Sequence, residues 1–136
     1  MKESKVEEIL VRNGISFIRH ATIYGTLKAD VGAYKNGLGN MMHTMKDHIL
    51  HFNGEEVAIL AIDDMNGMPK EETLVRIPKE QIKSINIRIR LLVFWLTIQT
   101  EKGDIQYKIR KSVLGAPWHK ENLSYLLLGA SGMEGI

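Results

Sequence analysis

The chain has 136 residues, 44% hydrophobic and 25% charged, the composition of a single globular domain rather than of a disordered or fibrous chain. It contains no cysteine, which excludes disulfides, thiolate zinc sites, iron–sulfur clusters and cysteine nucleophiles. The formal net charge of +2 is unevenly spread: residues 1–45 carry +2, 46–80 carry −4, 81–111 carry +5 and 112–136 carry −1. A local basic face is therefore expected over 81–111, without a polyanion-attracting field across the whole molecule.

Val6, Ile9 and Leu10 recur at helical spacing among Glu3, Lys5, Glu7, Glu8 and Arg12, and Asn13-Gly14 supplies a stop, which predicts an amphipathic helix within residues 1–14. Ile15 to Ala29 is β-like, with Gly25 read as a bend or bulge. Asp30 to Asn40 carries turn residues. Three short strands are expected next, over Met41–Met45, His48–Phe52 and Val57–Ile62. Asn53-Gly54 between the last two is the signature of a type I′ hairpin. Asp63 to Glu72 reads as an acidic loop, and Leu74 to Ile77 as a strand ended by Pro78.

The stretch 82–111 reads as a three-stranded meander. A two-residue loop at Leu91-Leu92 places Arg88 opposite Trp95 and Asn86 opposite Thr97. A four-residue turn, Glu101 to Asp104, places Thr100 opposite Ile105, Ile98 opposite Tyr107 and Trp95 opposite Arg110. Alternation then sends Ile85, Ile87, Ile89, Phe94, Leu96, Ile98, Ile105, Tyr107 and Ile109 to one face, and Asn86, Arg88, Trp95, Thr97, Gln99, Gln106, Lys108 and Arg110 to the other. After Gly115-Ala116-Pro117, residues Trp118 to Leu128 predict a helix burying Trp118, Leu123, Leu126 and Leu127, with His119 and Asn122 polar. Residues 129–136 read as a flexible tail.

About seven antiparallel strands followed by a helix predict a mainly β (α+β) fold, a barrel or sandwich capped by the C-terminal helix. Met41 to Phe52, the run Ile77 to Ile85, the hairpin Phe94 to Tyr107 with Gly103 in its turn, and the helix led by Trp118 together resemble a bacterial pleckstrin-homology-like (GRAM-like) domain over residues 15–128. The helix in 1–14 lies outside that pattern. The resemblance implies a binding or assembly module without shared enzymatic residues.

Individual motifs give little chemistry. Gly32 to Gly39 lacks the Lys-Ser/Thr of a phosphate-binding loop. Lys28 and Lys35 flank it, where the resembling family meets inositol phosphates, but no Lys-x-Arg cluster adjoins them. His48 and His51, three apart on a strand, should point to opposite faces, so no metal site is expected. The pairs Glu55-Glu56, Asp63-Asp64 and Glu71-Glu72 fall in or beside turns, and no serine stands in a nucleophile elbow. No catalysis and no cofactor are expected.

Trp95 is the exception, an aromatic placed among cations on a polar face, the residue pairing enriched in binding hot spots. The sequence thus points to a noncatalytic module acting by self-association or with another protein, through Arg88, Trp95, Lys108 and Arg110 and through Val6, Ile9 and Leu10. The alternative is an anionic membrane surface or phosphate ligand held by Lys28, Lys35, Lys83 and Arg90 with the same basic face. One stacking aromatic is too few for nucleic acid. No run approaches 18 apolar residues and Lys2 to Glu8 is too polar for a signal peptide, so a cytoplasmic protein is expected.

Overall fold

A computed structural model describes residues 1–28 and 45–129. The predicted strand at Met41–Met45 and the turn region Asp30–Asn40 fall outside these, apart from Met45, as do residues 130–136 of the tail. Helix α1 spans Glu3–Arg12, strands β1 to β7 span Thr22–Leu27, Asp47–Phe52, Glu56–Ala61, Val75–Pro78, Ile82–Arg90, Val93–Thr100 and Gly103–Ile109, and helix α2 spans Pro117–Leu128. The strands form one antiparallel sheet in the order β4-β3-β2-β1-β7-β6-β5. Its two end strands do not pair, so the sheet is not closed.

The sheet wraps a single main core. Ile23, Leu27, Leu50, Phe52, Val57 and Ile59 of its first half meet Ile85, Leu96, Ile98, Ile105, Tyr107 and Ile109 of its second, with Leu123 of α2 among them. The halves join through β1 and β7, where Thr26 pairs with Lys108 and Leu27 with Tyr107. Gly25 sits at this junction as an ordinary strand residue, not a bend. A Cβ there would lie 2.9 Å from Tyr107 Cδ1 and 3.0 Å from Ile109 Cδ1, so glycine is needed because the Tyr107 ring crosses the strand.

A second core lies on the opposite face of β2 and β3. Val6, Ile9 and Leu10 of α1 pack there with Ile15, Ile49, Ala58, Leu60 and Ile62. The apolar stripe of the helix is therefore buried within its own chain. This corrects its expected role as an association surface and makes residues 1–14 part of the domain rather than an appendage. Arg12 clamps the helix by donating from Nε and Nη2 to Glu71 at 3.0 and 2.6 Å. Arg76 donates to the buried Glu56 at 2.6 and 2.9 Å and to the Asn13 carbonyl at 3.2 Å. Of the described residues 15–28, only Thr22–Leu27 is strand, because the Ile18 N–H bonds to His51 and Phe17 stacks on that ring at 4.9 Å.

Three turns decide the local registers. At Asn53-Gly54 the hairpin is not type I′: Phe52 pairs with Val57, Gly54 alone has positive φ, and the Asn53 carbonyl Oδ1 accepts the Glu55 and Glu56 N–H groups at 3.0 Å. Leu91-Leu92 does form the two-residue loop, both residues left-handed at φ 51 and 68, with Arg88 opposite Trp95. Between β6 and β7 the turn is Glu101-Lys102, closed by the Thr100 hydroxyl donating to the Gly103 carbonyl at 2.6 Å. The pairs are Thr100 with Gly103, Ile98 with Ile105 and Trp95 with Lys108, two residues from the expected register. The face assignment survives because a slip of two preserves side-chain direction.

Helix α2 starts at Pro117, whose missing N–H costs nothing in the first turn. His119 and Asn122 are buried, not polar surface as their residue types suggested. Asn122 Nδ2 donates to Glu3 Oε2 at 2.7 Å and to the Thr22 carbonyl at 2.8 Å, tying α1, β1 and α2 together.

Candidate binding face

The outer face of the first half-sheet is covered. Tyr24 stacks on Trp118 at 5.4 Å, and α1 covers Ile49, Ala58 and Leu60. On the outer face of β5 to β7 the described elements place nothing comparable. Trp95 lies half-buried between Arg88 of β5 and Lys108 of β7, with Asn86, Thr97 and Gln106 beside it. Ser84 donates to Gln99 at 2.6 Å and Gln106 Nε2 to Thr97 Oγ1 at 3.3 Å, a polar ladder that fixes the surface around the indole. The face is a shallow hollow of about 480 Å³ whose lining includes Lys28, Arg88, Arg90 and Trp95.

Among the described residues, Arg88, Arg90, Lys108 and Arg110 take part in none of the ion pairs, whereas the acidic residues Glu8, Glu56, Asp63, Glu71 and Glu72 are paired around the first half. Asp104, opposite Gln99, is the one carboxylate of β5 to β7. Of the other cations predicted to join the face, Lys28 lies next to it, where its N–H bonds to the Gln106 carbonyl. Lys83 sits at the irregularity between Ile82 and Ser84, five residues along β5 from Arg88, and Lys35 is outside the described residues. The structure thus brings together Arg88, Arg90, Trp95 and Lys108, leaves Lys83 apart, and buries Val6, Ile9 and Leu10.

A second concavity of about 330 Å³ borders this face, lined by Tyr24, Thr26, Asp47, Met68, Lys108 and Arg110 among others. Thr26 donates to Asp47 Oδ1 at 2.9 Å. Burial, then the Asp47 charge, raises the Tyr24 pKa, so its hydroxyl stays protonated.

The buried histidines are structural ties that residue type alone does not reveal. His48 and His51 do face opposite ways. His48 bonds the Tyr107 hydroxyl and the Met45 carbonyl, each at 2.6 Å. His51 Nε2 accepts the Ile18 N–H at 3.1 Å and its Nδ1 pairs with the Thr22 hydroxyl at 2.7 Å. His119 Nδ1 accepts the Tyr24 N–H at 3.0 Å and its Nε2 donates to the Arg110 carbonyl at 2.7 Å. Using one nitrogen as acceptor and the other as donor requires a neutral ring. Burial accordingly lowers His51 to about 4 and lowers His119. Among the described residues no cluster of three metal-ligating side chains occurs, and no helix is long and apolar enough to cross a membrane.

The chain matches no protein-family model and no curated protein sequence.

Proposed function

We propose that the chain is a noncatalytic, cytoplasmic, pleckstrin-homology-like association module whose docking surface is the outer face of β5 to β7. The observation that carries this reading is Trp95, half-buried between Arg88 and Lys108 on the face that no described helix covers. The four-plus-three strand order and the C-terminal helix support the family resemblance. A second copy of the chain is the favoured partner. The basic excess of 81–111 complements the acidic excess of 46–80, whose Glu55, Asp64 and Glu80 are exposed. Two identical basic faces would repel, so the pairing sets the basic face of one copy against the acidic surface of the other.

Sedimentation equilibrium tests it. Trp95→Ala should raise the self-dissociation constant by about 30-fold, the equivalent of roughly 2 kcal/mol for a buried aromatic anchor. Unchanged association would remove the face from the interface.

A second reading, capture of an anionic lipid surface or phosphate ligand by the same basic face, is favoured by the four cations that have no ion-pair partner among the described residues. Binding of that kind weakens steeply with salt.

A further inference from the structure

The tip of the β5–β6 hairpin combines three features that folding does not require. Leu91 is 95% exposed, Leu92 77% and Ile89 58%, so three aliphatic side chains project from one end of the sheet. Leu91 and Leu92 also hold left-handed backbone conformations, a turn geometry that Asn-Gly adopts with less strain. Leucine there adds neither buried packing nor conformational ease.

The third feature is the charge immediately behind the tip. Arg90 pairs with Val93 and Arg88 with Trp95. Phe94 pairs with Ile109, which sets the next residue, Arg110, toward the Val93 end of the same hairpin, and Lys108 stands opposite Trp95. At about 3.3 Å per strand residue, Arg88, Trp95 and Lys108 lie roughly 10 Å behind Leu91, with Arg90 nearer. An apolar tip, a basic collar and an aromatic at collar height match the depth order of a bilayer: acyl boundary, anionic headgroups and interface.

We infer that the Leu91-Leu92 hairpin is a membrane-insertion element that dips into the headgroup–acyl boundary of an anionic bilayer while Arg88, Arg90 and Arg110 hold the lipid phosphates. This deepens the second reading above and rests on it for the charge of the surface. The leucines supply apolar burial that a purely electrostatic contact lacks, and the arginines restrict insertion to anionic membranes.

Cosedimentation with phosphatidylcholine vesicles, with and without phosphatidylglycerol, tests the inference. The wild type should bind the phosphatidylglycerol vesicles, with the combined emission of Trp95 and Trp118 shifted to shorter wavelength, and bind phosphatidylcholine alone far more weakly. The double variant Leu91→Asn/Leu92→Gly should lose at least about tenfold in partition coefficient, the equivalent of some 1.4 kcal/mol of lost apolar transfer. Its thermal midpoint should be unchanged or higher, because Asn-Gly suits the turn. Equal binding by wild type and double variant would overturn the insertion while leaving the electrostatic reading intact. No binding by the wild type would overturn both, and a double variant altered only in self-association would assign the tip to a protein contact instead.

Discussion

The two halves of the sheet are built from similar strands but solve different problems. β2 and β3 are buried on both faces, one against the main core and one beneath α1, so five of the six residues of β2 and all six of β3 are buried. In β6 and β7 full burial instead falls mostly on the core-facing positions and the other face stays polar. The first half is closed by the chain itself, through α1, Trp118 and the Arg12–Glu71 and Arg76–Glu56 pairs. Among the described residues, the second is closed only from within. The difference separates surface that serves stability from the surface proposed for association.

The contrast breaks most visibly when the covered half is opened. Leu10→Ala should destabilise the fold by about 3 kcal/mol, because a buried leucine leaves a cavity between α1 and β3, and urea unfolding measures it. Nearly as large is the effect of acid on the same half. His51 binds its proton at about 4 in the fold against 6.5 for the free ring. The unfolded chain therefore takes up the proton first, and stability present above pH 6.5 is lost as pH falls toward 4. The loss amounts to about 3 kcal/mol. His119 acts in the same direction. Urea midpoints measured from pH 7 to 4 should fall accordingly, and His51→Gln should flatten that profile while lowering stability at pH 7.

On the open half the same kinds of change should leave folding nearly untouched. Trp95→Ala should alter monomer stability by less than about 1 kcal/mol while weakening self-association by about 2 kcal/mol, so unfolding and sedimentation data on one variant separate the two roles. Smallest of all, Leu91→Asn/Leu92→Gly should stabilise the monomer by up to about 1 kcal/mol, by relieving two left-handed leucines. A loss of stability in that variant would mean that the tip packs against something in the monomer.

How much of this was legible follows from what alternation can encode. The β5–β6 register and both faces of the meander were readable because apolar and polar residues alternate through Ile85–Arg90, Leu96–Gln99 and Ile105–Arg110. The β6–β7 register was not, since a slip of two leaves every side chain on the same face. The Thr100 hydroxyl bond that selects the tighter turn has no signature in hydrophobic pattern. Likewise the stripe Val6, Ile9 and Leu10 announced that α1 needs a cover without saying that its own sheet provides it. Asn53-Gly54 misled for a related reason: asparagine served as a side-chain acceptor instead of adopting positive φ. The clustering of Arg88 and Trp95 was visible in sequence. The buried roles of His48, His51, His119 and Asn122 were not, because residue type alone makes such side chains look like surface.

The claim that the open face is the association surface is tested most directly by following backbone amide shifts while the protein concentration is raised. The account predicts concentration-dependent shifts at Arg88, Trp95, Gln106 and Lys108, with a second set on the acidic surface of 46–80, and none at the buried positions of α1. Shifts centred on α1, or no shifts up to concentrations where weak assemblies form, would contradict it.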